Sequence, residues 1–384
     1  FLGQVLGEGA VVQSRLLLQG FDNKSVEMGH ALWELSRWIR ATPGLAGAVN
    51  AAVVRDGQLE LGGHPAAGEF RERWAQFLET YGWRSDVFME MGHPSWREDP
   101  SSALVQLKHY LGKPDDQDPF IAHARQAAER DRLAAELESK LPEELRPQFR
   151  GMLMMAQQYI PIAEDHNFTI DQKFTMVCRA ATLELGKRLT DAGVLSDPED
   201  VFYLVYDEIA ALARGGNGDG YAERAKERRQ ARVAQGRLTP PPILGTPPPA
   251  DMPPDPLVTK FFGLGVVQGS DPTVISGYPC SAGVVTGVAK VVMTLDEADK
   301  IERGDILVCP MTMPAWTPLF GVVSAVVADS GGPLSHCAIV AREYGIPCVA
   351  GTGTGTRTIR DGARIRVDGT TGTVHLLDAR SARG

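Results

Sequence analysis

The sequence predicts a multidomain α and α/β protein, in which a large, mostly helical domain precedes a small α/β domain. Three observations carry this. The chain's 384 residues leave room for two or three separate cores. From about residue 20 to 235, apolar residues recur at helical steps of three and four. After a run with nine prolines at 238–256, the pattern changes to short Val- and Ile-rich segments punctuated by Gly, Asp-Gly and Pro.

Taken in order, residues 121–150 are rich in Ala, Glu and Arg and predict helix. In FTIDQKFTMVCRAATLELGKRL, the residues Ile170, Phe174, Val177, Ala181, Leu185 and Leu189 predict one apolar helix face. Gly193 ends that helix, and SDPEDVFYLVYDEI opens the next with Asp197 as N-cap and Pro198 at the first position. No fixed-period repeat is visible. The proline run LTPPPILGTPPPADMPPDP cannot be helix or central strand, because proline lacks the amide donor and fixes φ; it predicts an extended connector. Beyond it GVVTGVAKVVM, DILVCP, GVVSAVVAD, IPCVAG, ARIRVDG and GTVHLL predict strands, with one helix from about Ser335 to Tyr344. The expected division is 1–237 helical, 238–270 connector and hinge, and 271–384 α/β.

Composition excludes several classes of function. Net charge is −9, and runs such as AERAKERRQAR alternate with glutamates as on a solvated helix face, so no nucleic-acid surface is expected. No apolar run reaches membrane-spanning length. The five cysteines have no metal-ligand spacing, and no metal site is expected. Their apolar settings predict buried, reduced thiols in a cytoplasmic protein. The N-terminus starts without Met or a signal peptide, as expected of a fragment or processed chain.

One stretch poses the functional question. ADSGGPLSHCAIVARE, residues 328–343, contains DSGGPL, the surroundings of a trypsin-like nucleophilic serine at Ser330. Such a protease needs a His and an Asp upstream in a β-barrel setting, and no upstream histidine has it. On the other reading, AVVAD is a buried strand, SGG a tight turn, and His336 stands in the first turn of a helix, where free amides favour an anion. Gly331 and Gly332 leave room for a polyphosphate, and Ser335 can cap the helix or bind phosphate.

SGGPLSHCAIVAREYGIPCVAGT resembles the phosphohistidine signature of the swivelling domain of phosphoenolpyruvate-utilising enzymes. SAGVVTGVAKVV and GDILVCPMTMPAWTPLF before it and IRDGARIRVDGTTGTVHLL after it resemble that domain's other segments in the expected order. The chain departs from the family's usual residues at Cys337 and at Ala328-Asp329. In the helical region GFDNKSVEM, SWREDPSSAL and EDHNFTIDQKF with its continuation resemble the rifampicin phosphotransferase and phenylphosphate synthase branch. The resemblance implies a large, mostly helical substrate-binding domain plus a small swivelling β/β/α phosphohistidine domain.

It also implies chemistry. His336 would carry a phosphoryl group from ATP to the hydroxyl of a small organic acceptor. His166, flanked by Glu164 and Asp165 at an expected helix start, is the candidate general base; Glu164, Asp165, Lys24, Glu27 and Arg97 are candidate substrate-binding residues. ATP and Mg2+ would be bound by an ATP-grasp-like domain or subunit absent from the chain. The glycine-rich GTGTGTR, residues 351–357, reads as a turn rather than a phosphate loop. Two other classes stay open: condensation or dehydration through a phosphorylated intermediate, and a non-catalytic binding protein that kept the fold.

Overall fold

The computed structural model describes residues 1–7, 10, 13–87, 89–236, 238, 255, 259, 263, 266 and 268–377. Most of the predicted connector 238–270 therefore lies outside the described residues. The backbone divides into two compact units. One comprises 1–86, 95–168 and 254–384, the other 87–94 and 169–253.

In the first unit the helices Lys24–Ala41, Leu45–Ala51, Ala67–Tyr81 and Ser101–Leu111 bury Met28, Leu32, Trp33, Ile39, Phe70 and Leu107 in a common core. Asn23 opens the first of them, its side chain accepting from the amides of Ser25 and Val26. A small hairpin, β1 (Val53–Arg55) and β2 (Gln58–Glu60), interrupts the helices. The periodicity had implied helices throughout this region. The Asp56-Gly57 pair between the strands takes positive φ at both residues (49° and 71°), a tight hairpin turn. Pro119–Lys140 and Arg146–His166 are separate helices, with a break at Leu141-Pro142 inside the predicted 121–150 run.

The α/β segment forms a mixed eight-stranded sheet from β3 (Val274–Ser276), β4 (Tyr278–Ser281), β5 (Val284–Val291), β6 (Ile306–Cys309), β7 (Ala325–Ala328), β8 (Cys348–Ala350), β9 (Arg364–Asp368) and β10 (Thr373–Leu376). Their order is β3-β10-β9-β5-β6-β7-β8-β4. The strands from β5 to β8 run parallel, and the other pairings are antiparallel. All six predicted strands form; β3 and β4 are additional. Side chains alternate along the parallel strands. Ile306, Val308, Ala325 and Val327 enter a core on one face. Leu307, Cys309, Val326 and Ala328 face the other, which they share with the helix His336–Glu343 and the helical segment's Met28, Leu32 and Leu107. Burial on both faces explains why these strands read as continuous apolar runs.

The second unit holds the helices Thr175–Asp191, Tyr206–Ala213 and Tyr221–Gln235, around Leu189, Leu195, Val201, Leu204, Leu212 and Ala225. Asp197 caps as expected, accepting from Glu199 N at 2.8 Å, but the element it opens is a short 3-10 helix, Pro198–Tyr203. The expected apolar face is corrected. Ile170, Phe174, Val177 and Ala181 are exposed, Leu185 is half-buried and Leu189 is buried as expected, while Met176, Arg179 and Gly186 also turn inward. Residues Asn167–Phe174 are π-helical. That wider turn breaks the 3.6-residue period, so steps counted through it do not stay on one face.

Candidate phosphohistidine site

His336 is the first residue of its helix, following strand β7 and the turn 329–335. Gly331 makes that turn possible with φ of 119°, a conformation a side chain would disfavour. Ser335 occupies the N-cap position, but its hydroxyl donates to Gly332 O at 2.7 Å instead of capping. Only 12% of the His336 side chain is exposed. Thr312 Oγ1 lies 3.0 Å from Nδ1 and Thr317 Oγ1 3.3 Å from Nε2; a neutral ring carries one N–H, so one hydroxyl donates and the other accepts. Phe320 meets the ring edge-on. Burial, aided by the nearby Arg84 charge, pushes the imidazole down to about 3. It is neutral at physiological pH, with a nitrogen lone pair to offer.

Glu164 Oε2 stands 4.0 Å from His336 Nε2. With the imidazole neutral this is a carboxyl beside a nucleophile, not an ion pair. Glu164 is 4% exposed and accepts from Ser25 Oγ at 3.2 Å. Burial raises its carboxyl to about 7, against the opposing pull of Ser25 and Arg84. Next to it Asp165 accepts from Lys24 N at 2.8 Å. The two acids thus meet the N-terminal turn of helix Lys24–Ala41, whose dipole favours negative charge. Lys24 Nζ pairs with Glu27 at 2.5 Å on the surface.

The expectation that 164–166 begin a helix is corrected: they form the last turn of Arg146–His166, which continues through Pro161. Neighbours on a helix point about 100° apart. Glu164 therefore faces His336, while the exposed His166 places Nδ1 3.0 Å from Ile162 O. Arg97 is exposed and stacks over the Trp83 ring. The structure brings together His336, Glu164, Asp165 and Lys24; it does not bring His166 or Arg97 into contact with His336.

Sequence reasoning missed Thr312, Thr317, Ser25 and Arg84. The threonines lie inside the quoted PMTMPAWTP, where nothing but their burial, 1% exposure each, distinguishes them. Arg84 has no local signal. It is fully buried, donates from Nη2 to Lys24 O at 3.0 Å, and lies over the Phe168 ring. Among the described residues its Nε and Nη1 have no hydrogen-bond partner, an arrangement costly unless an anion arrives.

The run 351–357 is a turn entering a one-turn helix, Gly355–Thr358. Its donors serve Asp329: Thr352 Oγ1 at 3.0 Å, Thr356 N at 3.1 Å, and the Thr356 hydroxyl. The loop thus cradles an internal carboxylate. Among the described residues no cluster of three His, Cys, Asp or Glu side chains could hold a metal ion, and no helix is long and apolar enough to cross a membrane. All five cysteines are free thiols, four of them buried.

Comparison with known proteins finds two matching family models and several relatives. Residues 1–164 match the rifampicin phosphotransferase fourth domain, and residues 301–372 match the mobile domain of PEP-utilising enzymes. Over 94% of its length the chain is 38% identical to chondramide synthase cmdD of Chondromyces crocatus, covering 10% of that protein. It is 32% identical to the uncharacterized phosphotransferase YvkC of Bacillus subtilis over 97% of its length. It is likewise 32% identical to a rifampicin phosphotransferase of Streptomyces sviceus over 98%. The chain spans 44% and 42% of the latter two, less than half of each. With a histidine at the start of the mobile-domain helix and a rifampicin phosphotransferase-type helical segment beside it, the chain belongs to the family of phosphoenolpyruvate-utilising enzymes, on its rifampicin phosphotransferase-like side.

Proposed function

We propose that this chain is the acceptor-binding and phosphocarrier part of an ATP-dependent phosphotransferase of the dikinase type. The observation that carries the reading is the buried, neutral His336 at a helix N-terminus with Glu164 4.0 Å from its Nε2. The described residues do not fit ATP or Mg2+: the glycine-rich loop is filled by Asp329, and no metal cluster is present. We therefore assign both to an ATP-grasp-like domain or subunit outside residues 1–384. Residues 271–384 would travel between that part and the helical segment.

The chain's own residues account for two steps. The Nε2 lone pair attacks the phosphorus of the donor; the P–O bond breaks, and its electrons leave with the donor oxygen. Thr312 holds Nδ1 and orients the ring. Amides of the helix start with Gly331, Gly332 and Ser335, together with the two unpartnered Arg84 donors, stabilise the phosphoryl oxygens. At the acceptor, Glu164 takes the hydroxyl proton, the oxygen attacks phosphorus, and the P–N bond returns its electrons to Nε2. Lys24, Glu27, Asp165 and Arg97 remain the proposed substrate-binding residues, and Glu164 replaces His166 as the proposed base.

A second reading, in which the phosphorylated acceptor is an intermediate of condensation or dehydration, is favoured by the relative named a synthase. Label in the β-phosphate of ATP, followed with the ATP-binding part and Mg2+ present, tests both. Label passing through the protein into a stable phosphorylated hydroxyl compound supports the first reading. Label released as inorganic phosphate together with an altered acceptor supports the second. Label that never enters the protein overturns both.

Arg84 offers a sharper check. Arg84→Met should slow phosphoryl transfer by roughly 10²–10³-fold, the effect of losing a preorganised donor to developing charge. Thermal stability should hold or rise, because an incompletely paired buried cation is removed. Unchanged rate with lowered stability would make Arg84 purely structural.

A further inference from the structure

A cavity of about 370 Å³ adjoins the phosphohistidine site without being part of it. Phe320, whose ring meets His336 edge-on at 6.2 Å, is one of its walls, and His336, Glu164 and Arg84 are not. The other walls come from helix Lys24–Ala41, from residues between 113 and 125, and from residues 303–304, 321–324, 343, 344 and 346 of the α/β segment.

Lys113 dominates its electrostatics. The residue is 8% exposed, and among the described residues its ammonium has no hydrogen bond or ion pair. Nζ lies over the rings of Tyr110 and Tyr344, 4.7 and 5.8 Å from their centroids. It presses on Gly321, where a Cβ would stand 2.0 Å from Nζ. Burial, and then the like charge of Arg303, lowers the ammonium to about 8.

His123 adds a second polar atom without a hydrogen bond, the buried Nε2, 3.9 Å from carboxylate oxygens of Asp22 and Glu343. The acids lining the cavity do not neutralise Lys113. Glu343 is engaged by Gly20 N at 3.0 and 3.1 Å. Asp118 caps its helix through Phe120 N, with Arg37 3.7 Å from its other oxygen, and Asp116 is exposed. A buried cation, a like-charged neighbour and aromatic walls make a setting that an anion would complete.

We propose that this cavity is a second binding site, for a small organic anion of carboxylate or phosphate type, with its charge on Lys113 and Arg303 and its apolar part against Phe320 and Tyr344. Since the walls come from both the helical and the α/β segments, an occupant holds the two together. That consequence rests on the carrier reading; binding itself does not.

Isothermal titration of the chain with inorganic phosphate and with benzoate, without nucleotide, tests the site. One saturable event is expected for at least one probe, at least about tenfold weaker in Lys113→Met and also weakened in Arg303→Gln, but unchanged in His336→Ala. Arg303 is exposed, so its variant reports even if Lys113→Met fails to fold. Absence of saturable binding at millimolar probe, or equal binding in the Lys113 and Arg303 variants, overturns the proposal. So does binding lost in His336→Ala, which would put the anion at the phosphoryl site. Failure of phosphorylation with binding intact would instead overturn only the carrier reading.

Discussion

His336→Ala should abolish the acid-labile phosphoryl group that intact-mass measurement finds on the protein after ATP, Mg2+ and the nucleotide-binding part are supplied. Turnover should fall on the order of 10⁶-fold, the scale on which removal of a covalent nucleophile acts. The ring is held by Thr312 and Thr317 and closed over by Phe320, so no other histidine can substitute from that position. The variant should still fold: it loses two hydrogen bonds, worth about 0.5–1.5 kcal/mol each. An equal mass gain in the variant, or none in the parent with an active nucleotide part, would sink the carrier mechanism.

Glu164→Gln should separate the two half-reactions. Phosphorylation of His336 should persist, while transfer to the acceptor slows by about 10²–10⁴-fold, the usual worth of a positioned general base. A base must be deprotonated to act, and burial raises this carboxyl to about 7. The parent's transfer rate should therefore climb with pH to about 7 and level off above it, and the variant should lose that rise. Stability moves the opposite way. Between an ordinary glutamate value near 4 and the raised value, the folded state keeps a proton that the unfolded chain has released. Relative to Glu164→Gln, the parent should lose stability as pH rises through that window and level off near 7. A pH-independent rate from 5 to 8, or full transfer in the variant, would exclude Glu164 as the base.

Much of the fold was legible because it is local. Alternation and β-branched runs marked β5 to β10, and the glycines before Ser335-His336 marked the helix start that organises the site. The hairpin at Asp56-Gly57 was equally legible but passed over amid helical periodicity. The apolar stripe from Ile170 to Ala181 misled because periodicity states that a face exists, not which face is buried, and the π-helical turn shifts the count.

The sequence by itself placed a histidine in the first turn of a helix after a glycine turn, where local geometry suffices to face an anion, and its resemblance to a family supplied the expected chemistry. Only the tertiary structure decided which neighbours serve it. It turned Glu164 rather than His166 toward Nε2, because successive helix residues diverge by about 100°. It brought Arg84, distant in sequence, to a site it never announces, and gave Thr352 and Thr356 to Asp329 rather than to a phosphate. These choices depend on burial and desolvation, which arise when separate segments pack and leave no trace in local pattern.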